Sequence, residues 1–488
     1  MTTSTLLVPA ASLAAAPKDF FAEFRARLAA GARPVTFYGQ PADDPGDVTL
    51  TAVLEDGGRL SVRRTSISRA RGWHSLTRDF PALHVFEREI HEEHGAKPHD
   101  HPWLKPVRFP GAERGAIDRY PFYPVEGKQV HEVAVGPIHA GVIEPGHFRF
   151  MCLGETVHHL EIHLGYQHRG AARLLLARDA RSLAPLVETI AGDSSVAHAW
   201  AYCDALEALA GAPADEALEA SRGVGLELER IAMHLAGLAG LATDLAFLQG
   251  AATWGRLRTT VINTTMLVCG SRFGRGWVRP ASLRAGLDVE RAAAVRAALE
   301  LVARDVALVN ERFLGAASVR HRLQGVGTVT REQALEVGLV GMAARASGVD
   351  RDVRASLPGP LYARHPLEPV AEPSGDCWAR ALVRIREIEA SIRWIGSVLD
   401  AHPTLELAGS PVGELAPDTL GVAVREGWRG EVVHCLETDG RGALRHYAVQ
   451  DPSLRNWMGL ALAVRENEIS DFPICNKSFD LSYCGNDL

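Results

Sequence analysis

A chain of 488 residues is too long for one ordinary hydrophobic core, so two or more domains are expected. Its 47% apolar and 23% charged residues are those of a globular protein, and a formal charge of -7 excludes any general pull toward nucleic acid or an anionic membrane surface. Seven cysteines without a CxxC pair exclude a disulfide framework and the usual paired-cysteine zinc or iron–sulfur sites, and they fit a reducing compartment.

In chain order, residues 1–17 (MTTSTLLVPAASLAAAP) lack the basic segment of a signal peptide, so none is expected. Helices are predicted over 20–30 and 78–95. Between them, 48–56 (VTLTAVLED) and 58–68 (GRLSVRRTSIS) alternate as paired strands turned at Gly57-Gly58. These elements make a small α+β unit ending near residue 112, followed by a linker with Pro121, Pro124 and Gly127. Strands are predicted at 130–136, 146–154 and 155–165. Helices then dominate, over 171–191, 196–211, 222–250, 252–272, 288–313, 331–338 and 376–400. Late segments 431–439, 443–449 and 460–469 read as strands again. The fold class is therefore α+β: a small N-terminal α+β domain, then a large, mainly helical domain with peripheral strands. The longest apolar stretch, Ile231 to Ala252, contains His234, Thr243, Asp244 and Gln249, and reads as a buried core helix with no direct membrane span.

Several clusters carry candidate chemistry beside a plainer explanation. His91, His94, His99 and His101 crowd HEEHGAKPHDHP, where a metal site is conceivable but a solvated, partner-facing surface is favoured. On the strand at 157–164, His158, Leu160 and Ile162 alternate with His159, Glu161 and His163. A half-exposed strand explains the pattern, and a proton-handling face is the alternative. Glu227, Arg230 and His234 sit at helical spacing in ELERIAMH and read as structural. Arg345 and Arg429 stand among glycines, a setting in which an arginine fork suits a small polar ligand. Asp193, Ser194 or Ser195 is placed to cap the helix that follows.

Taken together, the segments FEREIHEEHG, HPWLKPVRFP, GPIH, EPGHFRF, HLGYQHRG, LELERIAMH, GSRFGRGWVRP, GVGTVTREQALEVGLVGMAARASG, GDCWARALVRIREIEASI and WRGE resemble the large subunit of hydrogenase-4 and formate hydrogenlyase. That subunit belongs to a complex I-related class of nickel–iron hydrogenase, and the resemblance covers nearly the whole chain. It implies a 30-kDa-type complex I domain over 1–112, a linker over 113–129, and over 130–488 a domain similar to the hydrogenase large subunit and the complex I 49-kDa-type subunit.

The family's nickel–iron centre is held by four cysteine thiolates, the soft ligands such a metal pair needs. Aligning the first cysteine stretch on Ala197-His198 places two ligand positions at Ala191 and Ser194. Aligning the second on Ser478-Phe479-Asp480 places the others at Ser482 and Gly485, with Cys484 one residue out of register. No nickel–iron centre is expected from that register. The complex I relative uses the same cavity to hold a quinone headgroup through a histidine and a tyrosine. The histidine's counterpart is His147, with His139 competing, and the tyrosine's falls at Gly192. Arg429 matches the arginine that overhangs the hydrogenase active site, and Asp193, Ser194, His198, Asp480 and Ser482 are expected to converge with it, with Arg345 as a further cofactor-binding candidate.

The resemblance implies a cytoplasmic protein, peripheral on the inner face of the plasma membrane. Its partners would be an iron–sulfur small subunit carrying a 4Fe-4S cluster, and membrane antiporter-like and anchor subunits; nucleic acid is not a partner. Two functions compete. One is electron transfer between that cluster and a quinone-like acceptor, with protons supplied through His139, His147 and the 157–163 strand. The other is a coupling subunit that has kept the fold and lost the chemistry, its polar residues forming a satisfied plug.

Overall fold

The first strand of the chain completes a sheet built from its last third. The computed structural model describes residues 4–111, 115–127, 129–139, 143–212, 214–405 and 411–488. In it β1 (Thr5–Pro9) precedes α1 (Pro17–Ala29), an antiparallel sheet of β2 (Arg33–Pro41), β3 (Asp47–Asp56) and β4 (Arg59–Ser68), and α2 (His84–His94). Gly57 and Gly58 both take left-handed φ values, 54° and 75°, which suits the tight turn between two twisted strands. β3 is buried along nearly its whole length because both of its faces are covered. Leu50, Ala52 and Leu54 meet Phe20, Phe24 and Phe86 from the helices, while Val53 joins Val35 and Val62 against Val422 and Val424 near the chain's other end.

A second antiparallel sheet holds β5 (Val130–Val135), β6 (His147–Leu153) and β7 (Thr156–His163). Five long helices follow: α3 (Ser195–Leu209), α4 (Glu216–Asp244), α5 (Leu248–Cys269), α6 (Val289–Gly315) and α7 (Cys377–Ala401). Three of them start on an aspartate whose side chain accepts a free first-turn amide: Asp215 from Leu218, Asp288 from Arg291 and Asp376 from Ala379, at 2.7, 2.8 and 2.8 Å. α3 is buried all round and forms the centre of the core. It lies between α4 and the sheet of β8 (Thr419–Glu426), β9 (Glu431–Thr438) and β10 (Leu444–Gln450), whose outer neighbour is β1. The chain then forms α8 (Ser453–Ala463), α9 (Phe472–Phe479) and α10 (Tyr483–Asp487). Buried ion pairs tie the first sheet to the last, Arg33 to Glu431 and Arg64 to Glu437, each at 2.6 Å.

Four expectations change. The helix predicted over 171–191 is two short pieces, Ala171–Leu176 and Ala184–Val187, because Asp179 accepts the Arg181 amide in a turn and Pro185 opens a new helix. The break predicted near 251 falls at 245–247, where Ala246 has φ 55°. The strand predicted at 460–469 is instead the end of α8 over 460–463 and a turn beyond it: Trp457, Leu460, Ala461 and Val464 recur at helical spacing and are buried together. The strand at 157–164 is not half-exposed on its polar side, since Glu161 and His163 are as buried as Leu160. Among the described residues no helix is long and apolar enough to cross a membrane.

Candidate functional site

The segment Gly192–Ser195 enters α3 at the bottom of a cavity of about 570 Å³. None of the expected side chains caps the helix. Ser194 stands at the capping position without a side-chain bond, and Ser195 donates back to the carbonyl oxygens of Glu188 and Gly192 at 3.3 and 3.2 Å. The amides of Val196 and Ala197 donate instead to the carboxyl group of Glu229, which α4 brings across at 2.7 and 3.3 Å. Burial pushes the Glu229 pKa up to about 8 despite those amides.

With no capping role, Asp193 turns to Arg429. The arginine's Nη1 and Nη2 donate to the two carboxylate oxygens at 2.6 and 2.8 Å, a bidentate pair, and its Nε donates to the carbonyl of Asp480. The guanidinium also lies 3.8 Å over the Trp428 ring. Burial opposes its charge, but Asp193 wins and holds Arg429 above the ordinary arginine value. Asp480, at φ 57°, ends α9 and faces the cavity with Arg384 3.9 Å behind it. Ser482 caps α10 by accepting the Gly485 amide at 2.9 Å and stands 3.4 Å from the sulfur of Cys484, whose thiol pKa is raised by burial. Asp193, Asp480, Ser482 and Cys484 therefore share one cavity, with Arg429 locking two of them together.

Other predicted residues lie behind or beside it. His198 is fully buried beneath the floor, bonded to His434 at 3.1 Å and Asp451 at 3.2 Å, while His434 reaches the hydroxyl of Tyr447 at 2.7 Å. Arg345 is not a cavity residue: its guanidinium donates to Glu387 and Glu426 at 2.5 and 2.7 Å, inside a buried network. The same network takes in the Glu227, Arg230 and His234 of the ELERIAMH segment. Glu387 accepts from His234 at 2.6 Å, and burial holds the His234 pKa down to about 4. His139 sits on the loop between β5 and β6 and His147 opens β6; they are bonded to the carbonyls of Gly146 and Gly136 at 3.1 and 2.9 Å, and neither lines the cavity. Residues 140–142 of that loop lie outside the described residues.

The histidines of 91–101 are partly buried and tied to carbonyls of their own unit: His91 to Ala96, His99 to Arg71 and His101 to His84. His159 and Glu161 of β7 line a second cavity of about 590 Å³ between α2, β7 and α8, where Lys105 pairs with Glu161. His163 next to it is kept neutral, its pKa lowered to about 3 by burial and the neighbouring His147. Among the described residues no group of three or more His, Cys, Asp or Glu is placed to hold a metal ion.

Residues missed in the sequence include Arg258 and Arg275 on the cavity wall and Glu229 under α3. Arg275 stands between two glycines in GSRFGRGWVRP, the same signal that drew attention to Arg345 and Arg429.

Residues 244–414 match the family model for the respiratory-chain NADH dehydrogenase 49 Kd subunit. Formate hydrogenlyase subunit 5 of Escherichia coli K12 is 29% identical over 74% of this chain, which spans 63% of that relative's length. Hydrogenase-4 component G of the same organism is 25% identical over 86% of this chain and 76% of its own. In fold, the chain matches a subunit of the archaeal membrane-bound sulfane sulfur reductase with a TM-score of 0.68, covering 75% of this chain and all of that one at 23% identity. Residues 244–414 therefore resemble a complex I 49 kDa-type domain, and most of the chain is similar to formate hydrogenlyase subunit 5 and hydrogenase-4 component G.

Proposed function

We propose that this chain is the hydrophilic large subunit of a membrane-associated, complex I-like oxidoreductase, and that its cavity takes a quinone-like electron acceptor where hydrogenase relatives hold nickel and iron. The donor set of the cavity carries the reading. A nickel–iron pair needs four thiolates. The corresponding positions are Ala191 and Gly485, which have no donor atom, and Ser194 and Ser482, whose hydroxyls are hard and neutral. Cys484 is the one thiol lining the cavity among the described residues, and burial keeps it protonated. These residues do not fit the metal centre.

They do suit a small ring with polar edges. Met233 and Trp428 offer apolar wall, while Asp480 and Ser482 offer hydrogen bonds. In this reading a 4Fe-4S cluster of a partner subunit delivers the electrons, and Asp480, with its carboxyl group facing the cavity, hands protons to the reduced ring. Residues 1–112 act as the 30-kDa-type unit, 130–488 as the 49-kDa-type unit and 113–129 as their linker. Membrane subunits dock the whole to the inner face of the plasma membrane.

The test is quinone-analogue reduction by the purified complex, with metal analysis alongside. Asp480→Asn is expected to lower turnover at least about a hundredfold, the lower end of what one proton-transfer group contributes, with assembly intact. Stoichiometric nickel, or turnover indifferent to Asp480→Asn, would sink the proposal. One observation favours the second reading, a coupling subunit without chemistry: Arg429 spends its fork on Asp193 and Asp480, as a satisfied plug would. On that reading Arg429→Ala weakens folding and assembly without a separable turnover defect.

A further inference from the structure

The carboxylates of the cavity and its cations are unequally matched. Asp193 is clasped by Arg429, Asp480 faces Arg384, and Lys477 is paired with Asp244 at 2.7 Å. Two guanidinium groups on the same wall remain. Arg258, on α5, has a buried Nε without a hydrogen-bond partner among the described residues and lies 5.8 Å from the Phe273 ring. Arg275 bonds only through its backbone amide, to Ser271, and makes no side-chain bond or ion pair among the described residues. The carboxylate within its electrostatic reach, Glu188, is already bonded to Arg279 and to the Gly276 amide. Among the described residues Glu144 is the one cavity carboxylate without a basic partner, so two uncommitted positive charges face one negative.

Gly192 explains how Arg275 comes to lie there. A Cβ at residue 192 would stand 2.9 Å from Nη2 of Arg275, so the guanidinium rests against the bare backbone of the entering loop. Any side chain at 192 would displace it.

We propose that the cavity binds its acceptor as an anion: a planar ring bearing an ionised oxygen, of the hydroxyquinone class, with Arg275 and Arg258 on the charged oxygen. The inference rests on the quinone-site reading and narrows it. Guanidinium groups suit an oxyanion because their bonds to it are charge-assisted and planar. A partly enclosed wall strengthens the attraction relative to open water.

The experiment is calorimetric titration of the full chain with 2-hydroxy-1,4-naphthoquinone, ionised at neutral pH, and with neutral 1,4-naphthoquinone. The anion is expected to bind at least about tenfold more tightly, with an advantage that shrinks as salt is raised. Arg275→Gln is expected to erase most of that advantage. Because Arg275 is exposed and unpaired, the variant should keep the wild-type thermal midpoint. Gly192→Ala, which keeps every charge but pushes the guanidinium aside, should act in the same direction. Equal affinity for both compounds in the wild type overturns the anion inference and leaves the quinone reading standing. If neither compound binds, both readings are overturned. A preference that survives in both variants overturns the assignment to Arg275. Tight anion binding by a complex that reduces no quinone would keep the anion site and remove the electron-transfer reading.

Discussion

Arg429 holds both carboxylate oxygens of Asp193, at 2.6 and 2.8 Å, across 236 positions of the chain. The pair joins the loop that enters α3 to the turn between β8 and β9, and the third donor of Arg429 adds the end of α9. Arg429→Ala should cost about 3 kcal/mol of unfolding free energy in denaturant titration, since it strands a partly buried carboxylate. Asp193→Asn should cost less, because the Asp193 side chain is 37% exposed. Arg429→Lys should recover only part of the loss, as an ammonium cannot form the fork. Wild-type stability in Arg429→Ala would contradict this account.

Gly485 lies flat on the carboxyl group of Asp451. A Cβ there would fall 2.6 Å from the carboxyl carbon and 2.8 and 2.9 Å from its oxygens. Asp451 cannot retreat freely, because it is bonded to His198 and to the Ser453 amide. Gly485→Cys, which puts a thiol where the resemblance aligns a metal-ligating cysteine, is therefore expected to destabilise the chain by about 1–3 kcal/mol through overpacking. Restoring all four positions together with Ala191→Cys, Ser194→Cys and Ser482→Cys should not rebuild a nickel site. Nickel retained through gel filtration by the fourfold variant would show that the pocket can still reopen.

Glu229 ties stability to pH at the mouth of α3. Its folded-state pKa of about 8 stands above the ordinary glutamate value of 4.5, so the folded chain holds a proton that the unfolded chain releases. That contribution is complete below about pH 4.5 and is lost as pH rises through 8. Glu229→Gln mimics the protonated form and removes the loss. Relative to wild type, its unfolding free energy should improve between about pH 5 and pH 8, by an amount set by about 1.4 kcal/mol per pKa unit at most. A flat difference across that range would show that the carboxyl group is ionised throughout.

Arg345 is expected to behave as a structural residue. It is fully buried between Glu387, Glu426 and Asp352, and Arg345→Ala would leave those carboxylates short of a partner. The expected cost is about 3–5 kcal/mol, seen as loss of folded protein in expression and circular dichroism. A folded Arg345→Ala variant defective only in ligand binding would move the residue into the site.

Cys377 should titrate alone. Its sulfur lies 4.0 Å from that of Cys475 and accepts from Arg380 at 3.3 Å. Burial opposes the thiolate, but Cys475 and Arg380 bring the pKa down to about 6, whereas the other six thiols are pushed up. Thiolate ultraviolet absorbance should thus show one step near pH 6 in the wild type and none there in Cys377→Ser.

Strong periodicity made the long helices readable. The runs that became α4, α6 and α7 carry their apolar spacing and their aspartate caps in plain view. The strand at 33–41 escaped notice because Pro34 and Pro41 frame it and both of its faces are covered, so it lacks alternation. LALAVRENEI was ambiguous for a different reason: a short apolar run carries period 2 and period 3.6 together, and packing against β7 and α10 decides between them. Of the residues expected to converge, Asp193, Asp480 and Ser482 line the cavity, and Arg429 bonds to the first two from behind it. His139 and His147 were expected there too but face away, because their imidazoles hold the loop's own carbonyls. Arg258 and Glu229 could not be read at all, since each becomes a site residue only through the crossing of α4 and α5 with the loop below them.

The pairing of Thr5–Pro9 with β8 has a practical consequence for anyone dividing this protein. Leu6 sits beside Val422 and Val8 beside Leu420, so the leading strand covers an apolar margin of the last sheet. A 130–488 fragment produced by itself would carry that margin bare, with a row of open backbone donors and acceptors ready to recruit a neighbouring copy. The first few residues thus serve as a sealing strip against self-association, guarding a sheet whose own strands are made more than 400 positions later.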